Sequence, residues 1–79
     1  MAEYIGVETT VLIRVDGDLC RLSVGEGYVV RYWIDDDGFR ETGRFVEVED
    51  ECVLIQDEDG VIHHIEIDDI YDIQNTRSW

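Results

Sequence analysis

A chain of 79 residues holds one small domain with one core, 1–79, and leaves no room for a second. Its 20 Asp and Glu stand against six basic residues, all Arg, for a formal net charge of −14. That balance speaks against a stand-alone nucleic-acid binder and against an anionic membrane surface, both of which need cations.

Ile, Leu, Val and Phe total 25, so the chain carries enough apolar side chain to fold despite its acidity. No stretch approaches the ~20 apolar residues of a membrane span. Met1-Ala2-Glu3-Tyr4 lacks the basic start of a secretory leader, and a cytoplasmic location is expected. Val, Ile, Thr, Tyr, Phe and Trp make up 31 residues, whereas Ala, Leu, Met, Lys and Gln make up eight. Such usage predicts strands nearly everywhere.

The first element is a hairpin, 9–15 with 19–24, turning at Asp16-Gly17. A two-residue turn sets Ile13 opposite Cys20 and Val11 opposite Leu22, giving one apolar face completed by Val24. Arg14 and Arg21 fall on the other face with Leu12 and Leu19. Gly25-Glu26-Gly27 breaks the chain, and a strand follows at 28–34, with Tyr28, Val30, Tyr32 and Ile34 alternating against Val29, Arg31 and Trp33. Asp35-Asp36-Asp37-Gly38, which contains the second Asp-Gly pair, turns the chain into a long strand at 39–49. Gly43 marks a bulge or sharp bend within it. Strands at 52–57 and 61–67 form another hairpin across Glu58-Asp59-Gly60. A two-residue turn there pairs Leu54 with Ile65, and a three-residue loop pairs Val53 with Ile65. Asp68-Asp69-Ile70 reads as a tight turn into a last strand, 70–74, and 75–79 is a patternless tail. From residue 28 onward the plan is a five-stranded meander. Closure into a small barrel would remove its free edges.

The run Val29-Val30-Arg31-Tyr32, Gly43-Arg44-Phe45-Val46, Val53-Leu54-Ile55, Asp59-Gly60 and Ile65-x-Ile67-Asp68-Asp69-Ile70-x-x-Ile73 resembles the Sm-like branch of SH3-like barrels over residues 28–74. It is most similar to YolD-like and WYL-type relatives. The resemblance implies an all-β, five-stranded barrel with an added N-terminal hairpin, and assembly through edge strands that the hairpin could instead cover. Two departures weigh on function. Where Sm and Hfq proteins carry an Asn-bearing RNA loop, this chain has Glu49-Asp50-Glu51, and its second loop, Glu66-Ile67-Asp68-Asp69, has no Lys, Arg or Gly. The Trp-Tyr-Leu signature of WYL domains is absent as well.

Among chemistry-bearing residues, His63-His64 is the only histidine cluster. Strand neighbours point to opposite faces, so the pair cannot chelate one metal. His63, sharing a face with Val61, Ile65 and Ile67, reads as a hydrogen-bonded, partly buried side chain, and His64 as exposed. Asp57-x-Asp59-Gly60 lacks an oxygen ligand at the first position of a calcium loop, which would be Ile55. Cys20 and Cys52 lack a redox or metal spacing and read as buried free thiols. No catalytic residue, metal ligand or cofactor is expected, and no enzyme.

Aromatic side chains exceed what one such core absorbs. Tyr32 and Phe45 read as core. Trp33, Phe39, Tyr71 and Trp79, with the acidic Asp36, Asp37, Asp50, Asp68 and Asp69, are the expected partner-binding residues. The expected function is a protein-interaction module that assembles with itself or docks a basic protein. The alternative is an RNA-associated protein using Arg14, Arg21, Arg31 and Arg44.

Overall fold

A computed structural model describes residues 10–78. Strands β1 (Thr10–Val15) and β2 (Asp18–Ser23) form a separate two-stranded sheet. Strands β3 (Gly27–Ile34), β4 (Asp37–Glu49), β5 (Cys52–Gln56), β6 (Ile62–Glu66) and β7 (Ile70–Asn75) form an antiparallel sheet in the order β6-β5-β4-β3-β7. A 3₁₀ turn, Ile67–Asp69, leads into β7, and another, Thr76–Ser78, follows it. The architecture is all-β. Among the described residues, no helix is long and apolar enough to cross a membrane.

The first hairpin has the register its turn chemistry dictates. Ile13 pairs with Cys20 and Val11 with Leu22, and Asp16 and Gly17 both take the left-handed backbone of a tight hairpin turn. Ile13, Val15 and Leu22 are buried, while Leu12 and Leu19 on the alternate face are 58% and 63% exposed. Val24 is also exposed, just past the end of β2, and does not complete the apolar face.

The second turn lies two residues earlier than its Asp-Gly pair suggests. Ile34 pairs with Asp37, so the turn is Asp35-Asp36, with Asp35 left-handed, and Asp37-Gly38 belongs to β4. Gly38 sits opposite Trp33, and a Cβ there would come within 3.2 Å of the indole. That glycine makes room for a ring rather than for a turn.

β4 is the spine of the sheet. Its first half pairs with β3 and its second with β5, and the two ladders overlap at Arg44. Gly43 keeps regular register opposite Tyr28, and the irregularity expected of it falls between Phe45 and Glu47 on the β5 side. What requires glycine is proximity, because a Cβ at residue 43 would collide with the Gln56 carbonyl. The loop after β5 resolves its two candidate registers in favour of Val53 with Ile65. Asp57 N–H bonds to the Val61 carbonyl across the loop, and Gly60 is left-handed.

The sheet is a four-stranded meander followed by a fifth strand that returns to the opposite edge. β7 pairs with β3, not with β6, so the expected closed barrel is an open, curled sheet. Closure would need a β6–β7 ladder. The hairpin packs on the core face of this sheet, where Ile13, Val15 and Leu22 share one core with Tyr28, Val30, Phe45, Val53, Ile55, Ile65 and Ile70. Backbone hydrogen bonds between Gly25 N and Phe45 O, and between Phe45 N and Glu26 O, fasten the connector to β4. The Tyr28 hydroxyl accepts from Ser23 N at 2.7 Å, and its ring meets Phe45 edge-on. Alternation is lost where both faces are covered, so Val29 and Leu54 are buried as well.

Candidate functional site

Two groups of polar and aromatic side chains stand out, one around the β3–β4 turn and one spanning β4, the loop after β5, and β6. The first surrounds the β3–β4 turn. Arg31, Trp33, Gly38, Phe39, Arg40 and Tyr71 line a shallow hollow. Trp33 stacks on Tyr71 with ring centroids 4.6 Å apart, and Phe39 stacks on Tyr32 at 5.9 Å. Arg31 lies directly across from Arg40 and reaches Asp72 at 3.4 Å. Trp33 and Phe39 are 48% and 44% exposed, beside the carboxylates of Asp35, Asp36 and Asp37, and Ile34 is exposed on the other face of β3 from Trp33. Such a concentration of half-exposed aromatics with a charged rim has the composition of a binding patch.

The second group lies on the core side of the sheet, at the margin of the apolar cluster. Glu41 stands opposite Val30, and His63 opposite Ile55, so both point to the core face. Asp57, two residues beyond Ile55, points the same way. His63 Nε2 lies 2.8 Å from Asp57 Oδ2 and 3.2 Å from Glu41 Oε1. Asp57 is held by its own loop, its Oδ1 accepting from the backbone N–H groups of Asp59 and Val61 at 2.9 and 3.0 Å. The hydrogen bond from His63, with those from Val61 and Asp59, holds the Asp57 carboxyl below its ordinary value. The same bond to Asp57, reinforced by the Glu41 charge, raises His63 against the opposing effect of burial. Burial, with Glu41 adding, also pushes the Tyr32 phenol up.

The expected partner-binding residues divide between two places. Trp33, Phe39 and Tyr71 meet around the hollow, with Asp36 and Asp37 at its rim. Asp50, Asp68 and Asp69 lie at the other end of β4, where the Ile67 N–H bonds to the Glu51 carbonyl. At ~3.3 Å per residue, the thirteen residues of β4 amount to a path of about 40 Å between the two ends. One site therefore does not hold the whole set. Trp79 lies outside the described residues.

The four arginines expected of an RNA face are dispersed. Arg14 and Arg21 share the outer face of the hairpin, Arg31 pairs with Asp72, and Arg44 lines a cleft with Glu41, Asp57, Glu58 and Asp59. Cys20 and Cys52 are free but only half-buried, which corrects the expectation of full burial. Burial and neighbouring carboxylates raise both thiols, so neither is an activated nucleophile.

His63 has the partly buried, hydrogen-bonded character expected of it, whereas its convergence with Glu41 and Asp57 was hidden in the sequence. The Asp57–His63 part is readable once the three-residue loop is chosen, because that register puts both on one face. Glu41 joins them from β4, which lies on the other side of β5 from β6. Comparison with protein-family models, with curated proteins and with solved structures returns no match for this chain.

Proposed function

We propose that this chain is a non-catalytic protein-interaction module of the Sm-like type, and that the hollow beside the β3–β4 turn docks a basic protein. The observation that carries this reading is the stacked Trp33–Tyr71 pair in a hollow that Phe39 also lines, beside the Asp35–Asp36–Asp37 carboxylates. Rigid aromatics bury large areas at little entropic cost, and a carboxylate rim adds selectivity for cations. The net charge of −14 favours a basic partner over a neutral one. The order of a strand, a long bent strand, a second hairpin, a tight turn and a last strand supports the Sm-like assignment.

A second reading, self-association through the same hollow, is favoured by Arg31 and Arg40 standing beside the acidic tip. A two-fold contact could set the arginines of one copy against the aspartates of the other. The RNA-associated alternative draws no comparable support, since its arginines do not gather.

Affinity capture with the full chain from its native cells tests the proposal. A basic protein should be retained, released by raised salt, and lost with Trp33→Ala or with Asp36→Asn/Asp37→Asn at unchanged circular dichroism. Equal capture by all three proteins would reject the hollow as the docking surface. Light scattering at micromolar concentration separates the two readings, since self-association predicts a dimer that Trp33→Ala dissolves.

A further inference from the structure

We propose that Glu41, Asp57 and His63 form a binding site for one divalent transition-metal ion of the zinc class. Their three ligand atoms lie within 4.8 Å of one another, although the residues come from β4, the loop after β5, and β6. Two atoms bound to one tetrahedral ion at ~2.0–2.1 Å stand about 3.3 Å apart. The Nε2–Oδ2 and Nε2–Oε1 separations of 2.8 and 3.2 Å are already close to that. Small side-chain rotations admit the ion without moving a strand.

Charge and hydrogen bonding point the same way. One imidazole nitrogen faces two carboxylates and has a single proton to give. Even a protonated His63 leaves the trio with net negative charge, whereas a dication bound to neutral imidazole neutralises both carboxylates. Asp57 is already oriented as metal-binding carboxylates are, because two backbone N–H groups fix its Oδ1 and leave Oδ2 for the ligand. The trio is half-buried, and Glu41 and Asp57 also line the cleft with Thr42, Arg44 and Gln56, which gives an ion an entry path.

The donor set defines the metal. One imidazole and two carboxylates suit zinc and its transition-series neighbours. Calcium and magnesium prefer all-oxygen shells with more ligands. This site is separate from the aromatic hollow and does not depend on the partner-docking reading.

Calorimetric titration of the chelator-treated full chain with Zn²⁺ in about 0.15 M NaCl provides the test, with Cys20→Ser and Cys52→Ser included so that thiols cannot compete. The expected result is one ion per chain, unaffected by excess Mg²⁺ or Ca²⁺. His63→Gln, Asp57→Asn and Glu41→Gln should each weaken binding by about tenfold or more. In the unsubstituted chain, Zn²⁺ should also displace the Nε2 proton of His63, read from its imidazole ¹⁵N shifts. That readout stands even if a variant fails to fold. Absence of binding, several ions held regardless of residue 63, or an unchanged His63 imidazole spectrum would each overturn the proposal and leave only a structural ion pair.

Discussion

Gly43 and the His63–Asp57 pair show how much single positions decide. A methyl at residue 43 has nowhere to go, since backbone of the neighbouring strand occupies its place. Gly43→Ala should lower stability by about 3 kcal/mol, the upper range for overpacking, measured by urea denaturation. The histidine pair should leave a pH signature in the metal-free protein. His63 is raised above its ordinary 6.5, so its contribution is full below that value and is lost as pH rises through the raised folded value. Asp57 is lowered from 3.8, so its contribution is present above that value and is lost as pH falls through the depressed one. The pair therefore stabilises most between about pH 4 and 6.5. The difference in Tm between the native chain and His63→Gln should be larger at pH 5.5 than at pH 9, and an equal difference would refute the ion pair. At this scale the sequence was informative about environment, placing His63 on the inner face, and silent about partnership. Glu41 reaches it from a strand two places away in the sheet, a neighbourhood that neither residue encodes.

The hairpin β1–β2 is a working part of the core, because Leu22 is 1% exposed and shares the interior with Phe45 and Ile65. Leu22→Ala should cost about 2–5 kcal/mol. Leu12→Ala, on the outer face of the same hairpin, should change stability by within about 0.5 kcal/mol. Fluorescence and far-ultraviolet melts of Leu22→Ala should still coincide, since a hairpin that unfolded alone would separate them. This hairpin was legible because its turn and its alternation specify one register. The β3–β4 turn misled because three aspartates precede the glycine, and what Gly38 contributes is a missing Cβ that leaves room for an indole. The open sheet was unreadable for a different reason. β7 pairs with β3 and not with β6, its neighbour in sequence, a choice between distant segments on which turn chemistry and alternation are silent.

For the molecule as a whole, charge is the dominant long-range term. A net −14 on so small a body repels itself, and the ionic atmosphere that screens it shrinks from about 10 Å at 0.1 M salt to about 3 Å at 1 M. Raising NaCl over that range should stabilise the fold by roughly 1 kcal/mol, or about 4–8 °C in Tm. A flat salt response would mean that the carboxylates are already compensated. The two acidic ends of β4 divide the surface so that, among the described residues, only one of them adjoins exposed aromatics. Composition alone could announce the acidity and the surplus of rings. Their coincidence at a single turn is a product of topology.

The return of β7 to β3 has a kinetic corollary. Residue 28 must find residue 75 across every intervening strand, a wide loop to close for one ladder. Closing this seam, the most distant of the ladders, should make refolding slow for the chain's size. Trimming Ile70 to Val at that seam should retard refolding, whereas equivalent trimming in β1 should chiefly hasten unfolding.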